Sequence, residues 1–167
     1  LVYINQEARH GLWNYISAHF SMIDKVVGNN YTNEPMAFLL EDSEIQEEIE
    51  PYIMARIVDF EEFIRQYPFD IISIHDDLHF IIDDPIMECN CGDFSLRWDA
   101  AGNTILERGG TRGETVRCDI QTLTAMFYGY KRPTYLKRVE RLQANDTAVR
   151  ILEDIIPIEQ PYFSDYF

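Results

Sequence analysis

In two stretches between Phe94 and Ile120 the apolar residues fall at every second position, and that spacing commits this part of the chain to a sheet. Phe94, Leu96 and Trp98 alternate with Ser95, Arg97 and Asp99, so a strand here carries one apolar and one polar face. Ala100-Ala101-Gly102-Asn103 supplies a turn into a second strand, Thr104 to Glu107. Val116, Cys118 and Ile120 then alternate with Arg117 and Asp119, after a glycine-rich stretch, Arg108 to Gly113, that reads as a hairpin loop. A sheet with one apolar face needs a cover, and the flanking sequence provides helices.

Asp59 with Glu62 three positions on has the capping-box spacing and opens a helix carrying Phe60, Phe63 and Ile64, which Tyr67-Pro68 stops. Asp119 is placed to cap a helix whose Ile120, Leu123, Thr124 and Phe127 share a face before Gly129 ends it. Asp146 reads as the cap of a last helix with Val149, Leu152 and Ile156 inward. Two further strands are expected, Tyr52 to Val58 and Ile71 to Asp83, the latter interrupted at His75-Asp76-Asp77. Upstream, Gln6 to Phe20 has helical spacing at Ala8, Leu12, Tyr15, Ile16 and Phe20. Met22 to Gly28 reads as a strand, and Glu34 to Glu50 as an acidic connector with short helical pieces. A boundary is expected near Pro51. Local motifs alone give an α+β domain.

At 167 residues and 46% hydrophobic content the chain has material for one core and a small appended piece. Its net charge of −15 argues against a nucleic-acid backbone or an anionic membrane as partner and favours cationic ligands such as amines. Charge is uneven, however. Residues 1 to 52 hold nine acidic and two basic side chains, whereas Lys131 to Arg150 hold six basic and two acidic ones. The basic stretch reads as a helix surface facing the chain's own acidic residues or an oligomer partner. Cys89, Cys91 and Cys118 are an odd count, which fits reduced thiols in a cytoplasmic setting. No apolar run reaches the roughly 20 residues of a membrane span. No signal segment precedes the first strands and helices, and with Leu1 at its start the chain reads as a fragment.

Few residues group as a site. His75 and His79 have the i, i+4 spacing of a helical zinc pair, but on a strand they lie about 13 Å apart. Cys89-Asn90-Cys91 with Cys118 reads as small buried thiols, so no metal is expected. The end is unusual: Pro161-Tyr162-Phe163-Ser164-Asp165-Tyr166-Phe167 sets four aromatic residues after a proline, with Pro157 four positions before it. That composition reads as an extended segment that docks.

Three stretches carry a resemblance: Met54-Ala55-Arg56-Ile57-Val58-Asp59-Phe60 with Phe63, Leu123 through Phe127-Tyr128-Gly129-Tyr130, and Ser164-Asp165-Tyr166-Phe167. In order and spacing they resemble the C-terminal part of the Eis-like (enhanced intracellular survival) N-acetyltransferases of the GNAT superfamily. The resemblance implies a sterol-carrier-like (SCP2-like) domain over 53–167, a sheet with helices packed on it. It makes residues 1–50 the end of a second GNAT-like domain, with the first acetyltransferase domain upstream. It further implies an acetyl-CoA-dependent N-acetyltransferase acting on small cationic amines, a homo-oligomer, and the carboxylate of Phe167 as general base, with Tyr162, Phe163 and Tyr166 anchoring the tail. The acyl-CoA pyrophosphate signature has no match in the chain, so acetyl-CoA is expected to bind upstream and the chain alone to be inactive. Val139-Glu140-Arg141 lacks the glycine often found in the family's corresponding stretch, which bears on local loop shape. The alternative is an SCP2-like lipid-binding module without catalysis, since that fold encloses an apolar tunnel in other proteins.

Overall fold

The computed structural model describes residues 4–30, 36–40, 44–51, 53–70, 76–161 and 163 of an α+β chain. Two units divide it, Leu1–Pro51 and Tyr52–Phe167. In the first, α1 spans Gln6–Ser17, with the Asn5 side chain accepting a hydrogen bond from the Ala8 N–H at 2.8 Å as its cap. A second short helix, α2, covers Met36–Leu39. The strand expected at Met22 to Gly28 is absent: its β-branched residues run as irregular chain. β-propensity makes a strand only where a neighbouring strand accepts its hydrogen bonds, and the described residues of this unit form no sheet. None of its described residues is buried, and Ile4, Phe20, Met22 and Val27 stand open.

In the second unit a five-stranded sheet is built from β1 (Leu78–Asp83), β2 (Gly92–Trp98), β3 (Thr104–Arg108), β4 (Glu114–Asp119) and β5 (Gln143–Ala144), in the order β3-β2-β1-β4-β5. All neighbours are antiparallel except β1 and β4, which run parallel. The register lines up Phe94, Phe80, Val116 and Ala144 across four strands, with Leu106, Leu96 and Leu78 in the next apolar row. Helices α3 (Phe60–Gln66), α4 (Ile120–Phe127) and α6 (Asp146–Ile155) cover this face, and α5 (Pro133–Arg138) packs on α6. Phe60, Phe80 and Phe94 are essentially inaccessible to water. Their rings meet edge-on, Phe60 to Phe94 at 4.9 Å and Phe60 to Phe80 at 5.9 Å between centroids, with Phe127 a further 6.2 Å from Phe80. Each such side chain contributes about 2–3 kcal/mol by burial.

Side-chain caps place the helices where the sequence expects two of them. Asp59 accepts from the Glu62 N–H at 2.9 Å and Asp119 from the Thr122 N–H at 2.7 Å. On α6 the cap is Asn145, whose side chain takes the Ala148 N–H at 2.8 Å, so Asp146 is instead the first helical residue, beside the positive end of the helix dipole. The expected strand at Tyr52 to Val58 is also absent over 53–58. Side chains satisfy that backbone instead: the Ile57 N–H donates to Thr124 Oγ1 and the Val58 carbonyl accepts from Asn90. The strand expected from Ile71 begins only at Leu78, residues 71–75 lying outside those described.

Arg108 to Gly113 is a crossover, not a hairpin. With β1 and β4 parallel, β3 and β4 also run the same way on opposite sides of the β1–β2 pair, so the chain must cross both strands between them. Two glycines let it lie on the sheet. A β-carbon on Gly110 would come within 2.6 Å of Ser95 Cβ, and one on Gly113, at φ +106°, would overlap the Asp77 carbonyl. Among the described residues no helix is long and apolar enough to cross a membrane.

At the end of α5, Glu140 is the one described non-glycine residue at positive φ (60°). Its N–H donates to the Lys137 carbonyl and that of Arg141 to the Leu136 carbonyl, the pair of bonds that closes a helix through a left-handed residue where glycine is favoured. This is the stretch where the sequence lacks a glycine. Glu140→Gly removes a β-carbon crowding cost of about 1–2 kcal/mol and adds some unfolded-state entropy. The variant is expected to be more stable by about 0.5–1 kcal/mol in denaturant unfolding.

Candidate functional site

The tail expected to carry the chemistry follows α6 in the second unit, and its root carries a polar site. Pro133 stands at the first turn of α5, and Arg132 just before it points across to α6. Arg132 Nε donates to Glu153 Oε2 at 2.7 Å, and its Nη2 lies 2.6 Å from the same oxygen. The remaining guanidinium hydrogens reach the carbonyls of Glu153 (2.7 Å), Ile156 (2.9 Å) and Pro157 (3.0 Å). The first two are carbonyls that the last turn of a helix leaves without partners, and Pro157 lies just beyond it. Glu153 Oε1 in turn accepts the Thr134 N–H at 2.8 Å.

Two residues on, the chain passes over the end of α4. Gly129 sits at φ +72°, ending that helix, and a β-carbon there would overlap the carbonyl oxygen of Glu159. From the other side the Asp70 N–H donates to the Ile155 carbonyl at 2.9 Å, and the Tyr67 hydroxyl to the Phe127 carbonyl at 2.8 Å. Burial pushes the Tyr67 phenol up to about 12 against the opposing charge of Arg132, so it remains a donor at neutrality. Glu153 is raised by burial, but the Thr134 N–H and Arg132 outweigh that and hold it below its ordinary value.

Phe167 lies outside the described residues, as do Tyr162 and Tyr166. Phe163 is described, with 44% of its surface exposed. The root of the tail is held by its main chain at residues 156, 157 and 159, and Gly129, Arg132 and Glu153 are the residues that local motif reading missed as a group. The glycine within Phe127-Tyr128-Gly129-Tyr130 was the available signal. Its partner 30 residues downstream is not visible in a one-dimensional string.

A second polar knot holds the other end of the unit. Asp84, whose side chain is fully buried, pairs with Arg56, accepts from Asn90 Nδ2 at 2.9 Å, and accepts both the Ile86 and Met87 N–H groups at 3.0 Å. Asn90 Oδ1 accepts the Phe60 N–H at 2.9 Å, so the knot ties the entry of α3 to the turn before β2. Burial alone would raise the Asp84 carboxyl, but those donors hold it far below the usual carboxylate range.

The other sequence candidates do not converge. His75 lies outside the described residues, and His79 on β1 bonds through Nε2 to Asp93 Oδ1 at 2.7 Å on β2, beneath the crossover. Cys89 is exposed, while Cys91 Sγ exchanges hydrogen bonds with the Asp84 backbone. Cys118 is in the core, its thiol pushed up to about 12 by burial. In the basic stretch Lys137 pairs with Asp146, Arg141 with Asp119 and Arg132 with Glu153, so these bases face the chain's own acids.

Comparison with known proteins places this geometry. A family model for the sterol carrier protein domain matches residues 60–164, and one for an acetyltransferase (GNAT) domain matches residues 1–57. Among solved structures, a protein of unknown function from Enterococcus faecalis, described as a probable N-acyltransferase, is 28% identical over 99% of this chain and 42% of its own, with a TM-score of 0.80. A GCN5-related N-acetyltransferase from Anabaena variabilis is 26% identical over 96% of this chain and 40% of its own, with a TM-score of 0.69. Eis1 from Mycobacterium abscessus shares the fold at 18% identity and a TM-score of 0.66, covering 100% of this chain and 42% of its own. The chain thus spans about two fifths of the length of these structures. No curated protein matches it.

The lowered carboxylates give the second unit a pH signature. With a folded pKa below the unfolded value, Asp84 and Glu153 contribute stability that is complete above the unfolded carboxylate pKa of about 4 and is lost as pH falls from there through the folded values. Asp84→Asn is expected to cost about 2 kcal/mol at pH 7 and to flatten the acid limb of a stability-against-pH curve measured by chemical denaturation.

Proposed function

Because the chain belongs to the sterol carrier protein domain family over residues 60–164, we propose that it is the C-terminal part of an Eis-like, acetyl-CoA-dependent N-acetyltransferase acting on primary amines. The observation that carries this reading is the succession of a GNAT match over 1–57 and a sterol carrier match over 60–164 in one chain. The two N-acyltransferase-type neighbours that superpose on nearly all of it support the same reaction class. In this reading residues 1–50 end a GNAT-like domain and 53–167 form the sterol-carrier-like domain with its tail.

The glycine-rich loop at Arg108 to Gly113 does not fit an acyl-CoA pyrophosphate: it leads into β4 instead of a helix N-terminus and lies flat on the sheet. In this reading acetyl-CoA is bound by sequence outside this chain, and the chain alone is inactive. What this chain supplies is a proton acceptor. An amine substrate arrives as an ammonium and must lose a proton before its lone pair can attack, and the Phe167 carboxylate takes that role. A free α-carboxyl has a pKa of about 3.3–3.7, so desolvation in the active site has to raise it, or a water has to relay the proton.

The net charge of −15 supports a small cationic amine as substrate. Three free thiols support a cytoplasmic setting, and the domain doubles as a scaffold for a homo-oligomer. Lipid carriage requires an apolar tunnel where Phe60, Phe80, Phe94 and Phe127 interlock. Depressions of about 270 and 350 Å³ lie in the first unit, at Ile16–Val26 and at Ile4–Arg9.

In the protein that carries this chain, deleting Phe167 is expected to lower kcat at least 100-fold while acetyl-CoA binding, measured by calorimetry, changes less than twofold. Unchanged turnover would sink the carboxylate role.

A further inference from the structure

We propose that the second unit carries both halves of a contact between copies of this chain: a basic, tyrosine-lined patch on α5 of one copy receives the acidic turn after β1, Asp83 to Glu88, of another. This inference rests on the reading of the domain as the scaffold of a homo-oligomer. Of the six bases between Lys131 and Arg150, Arg132, Lys137 and Arg141 meet carboxylates of their own chain, whereas Lys131, Arg138 and Arg150 meet none among the described residues. Two of those three are nevertheless held in place. Lys131 Nζ lies 4.4 Å from the centroid of the Tyr130 ring and 5.3 Å from that of Tyr135, and the Arg138 guanidinium carbon lies 5.2 Å from that of Tyr135. Tyr130, Tyr135 and Val139 are themselves exposed. Cations stacked on rings have given up part of their rotamer freedom before any anion arrives, so a carboxylate that meets them forfeits less entropy on binding.

The matching surface is on the same unit. Asp83 and Glu88 are exposed and have no base as partner among the described residues, and between them Ile86 has 75% of its surface in water. This turn is held rigidly. The buried Asp84 carboxylate accepts the Ile86 and Met87 N–H groups at 3.0 Å, which fixes the backbone that presents Ile86. An apolar tip flanked by two carboxylates has the same plan as the α5 patch with the charges reversed. A nucleic-acid backbone would meet the repulsion of the whole chain, net charge −15, along its length. A second copy instead brings two carboxylates against two cations, and screening over about 8 Å at physiological salt leaves those close pairs dominant. Because patch and turn belong to one chain, either two copies exchange them reciprocally or successive copies pass them on.

The test uses the intact protein that carries this chain, its mass followed by sedimentation over a dilution series. The patch variant is Lys131→Glu with Arg138→Glu, and the turn variant is Asp83→Lys with Glu88→Lys. We expect each variant alone to self-associate at least about 100-fold more weakly than the parent, since like charges then face each other. An equimolar mixture of the two is expected to reassociate, because each reversed surface meets its complement. A single chain with all four substitutions is expected to associate within about tenfold of the parent. Thermal melting checks folding. Ile86→Ser and Tyr135→Ser, which change no charge, take the place of any variant that fails to fold, and each is expected to weaken association at least about tenfold. A parent that self-associates while either folded variant does so equally well, or a mixture that stays dissociated, overturns the contact and leaves the homo-oligomer reading standing. A parent that remains a single copy throughout the series overturns both.

Discussion

The parallel pairing of β1 with β4 is the constraint from which the second unit's other features follow. A sheet of hairpins would let each strand turn directly into the next. Here β4 has to enter alongside β1 in the same direction, so the chain leaving β3 crosses two strands in five residues and needs glycine at the two points of closest approach. The same pairing brings the end of β4 level with the end of β1, where Asp119 caps α4 and aims it back across the apolar face. The far end of α4 is Gly129. The tail's crossing point is thus a geometric descendant of one parallel strand pair.

Two buried or half-buried carboxylates hold the unit's loose ends. Asp84 gathers the entry of α3 and Glu153 the exit of α6, each through an arginine and backbone N–H donors. Surface ion pairs on the same molecule, such as Arg65 with Glu62, are exposed on both sides and contribute little. The difference is desolvation with full compensation: a shielded carboxylate that keeps four donors is held firmly, and losing any one of them exposes the cost of burying the rest.

Local chemistry was legible in the sequence and non-local pairing was not. The alternation at Phe94, Leu96 and Trp98, the turn at Ala100 to Asn103 and the caps at Asp59 and Asp119 all depend on residues within a few positions of one another. The crossover was misread as a hairpin because strand order depends on β1, about 30 residues earlier. Met22 to Gly28 and Tyr52 to Val58 carry β-branched residues, but propensity does not supply a partner strand. Asp146 and Asn145 are adjacent acceptors, and only the backbone angles distinguish cap from first turn. At the candidate site, the resemblance pointed to Gly129 and to the tail. Arg132 escaped notice because a basic residue in a basic stretch announces nothing about which carbonyls it will reach.

Gly129 joins two properties that usually vary separately. Its left-handed conformation decides where α4 stops, and its bare α-carbon decides where the chain's last stretch travels. Lengthening the helix by even one residue would put a side chain in the tail's path, and rerouting the tail would leave the helix end uncovered. Helix length and tail trajectory are therefore one inherited variable, and evolution or a protein engineer can alter either only by redesigning both at once.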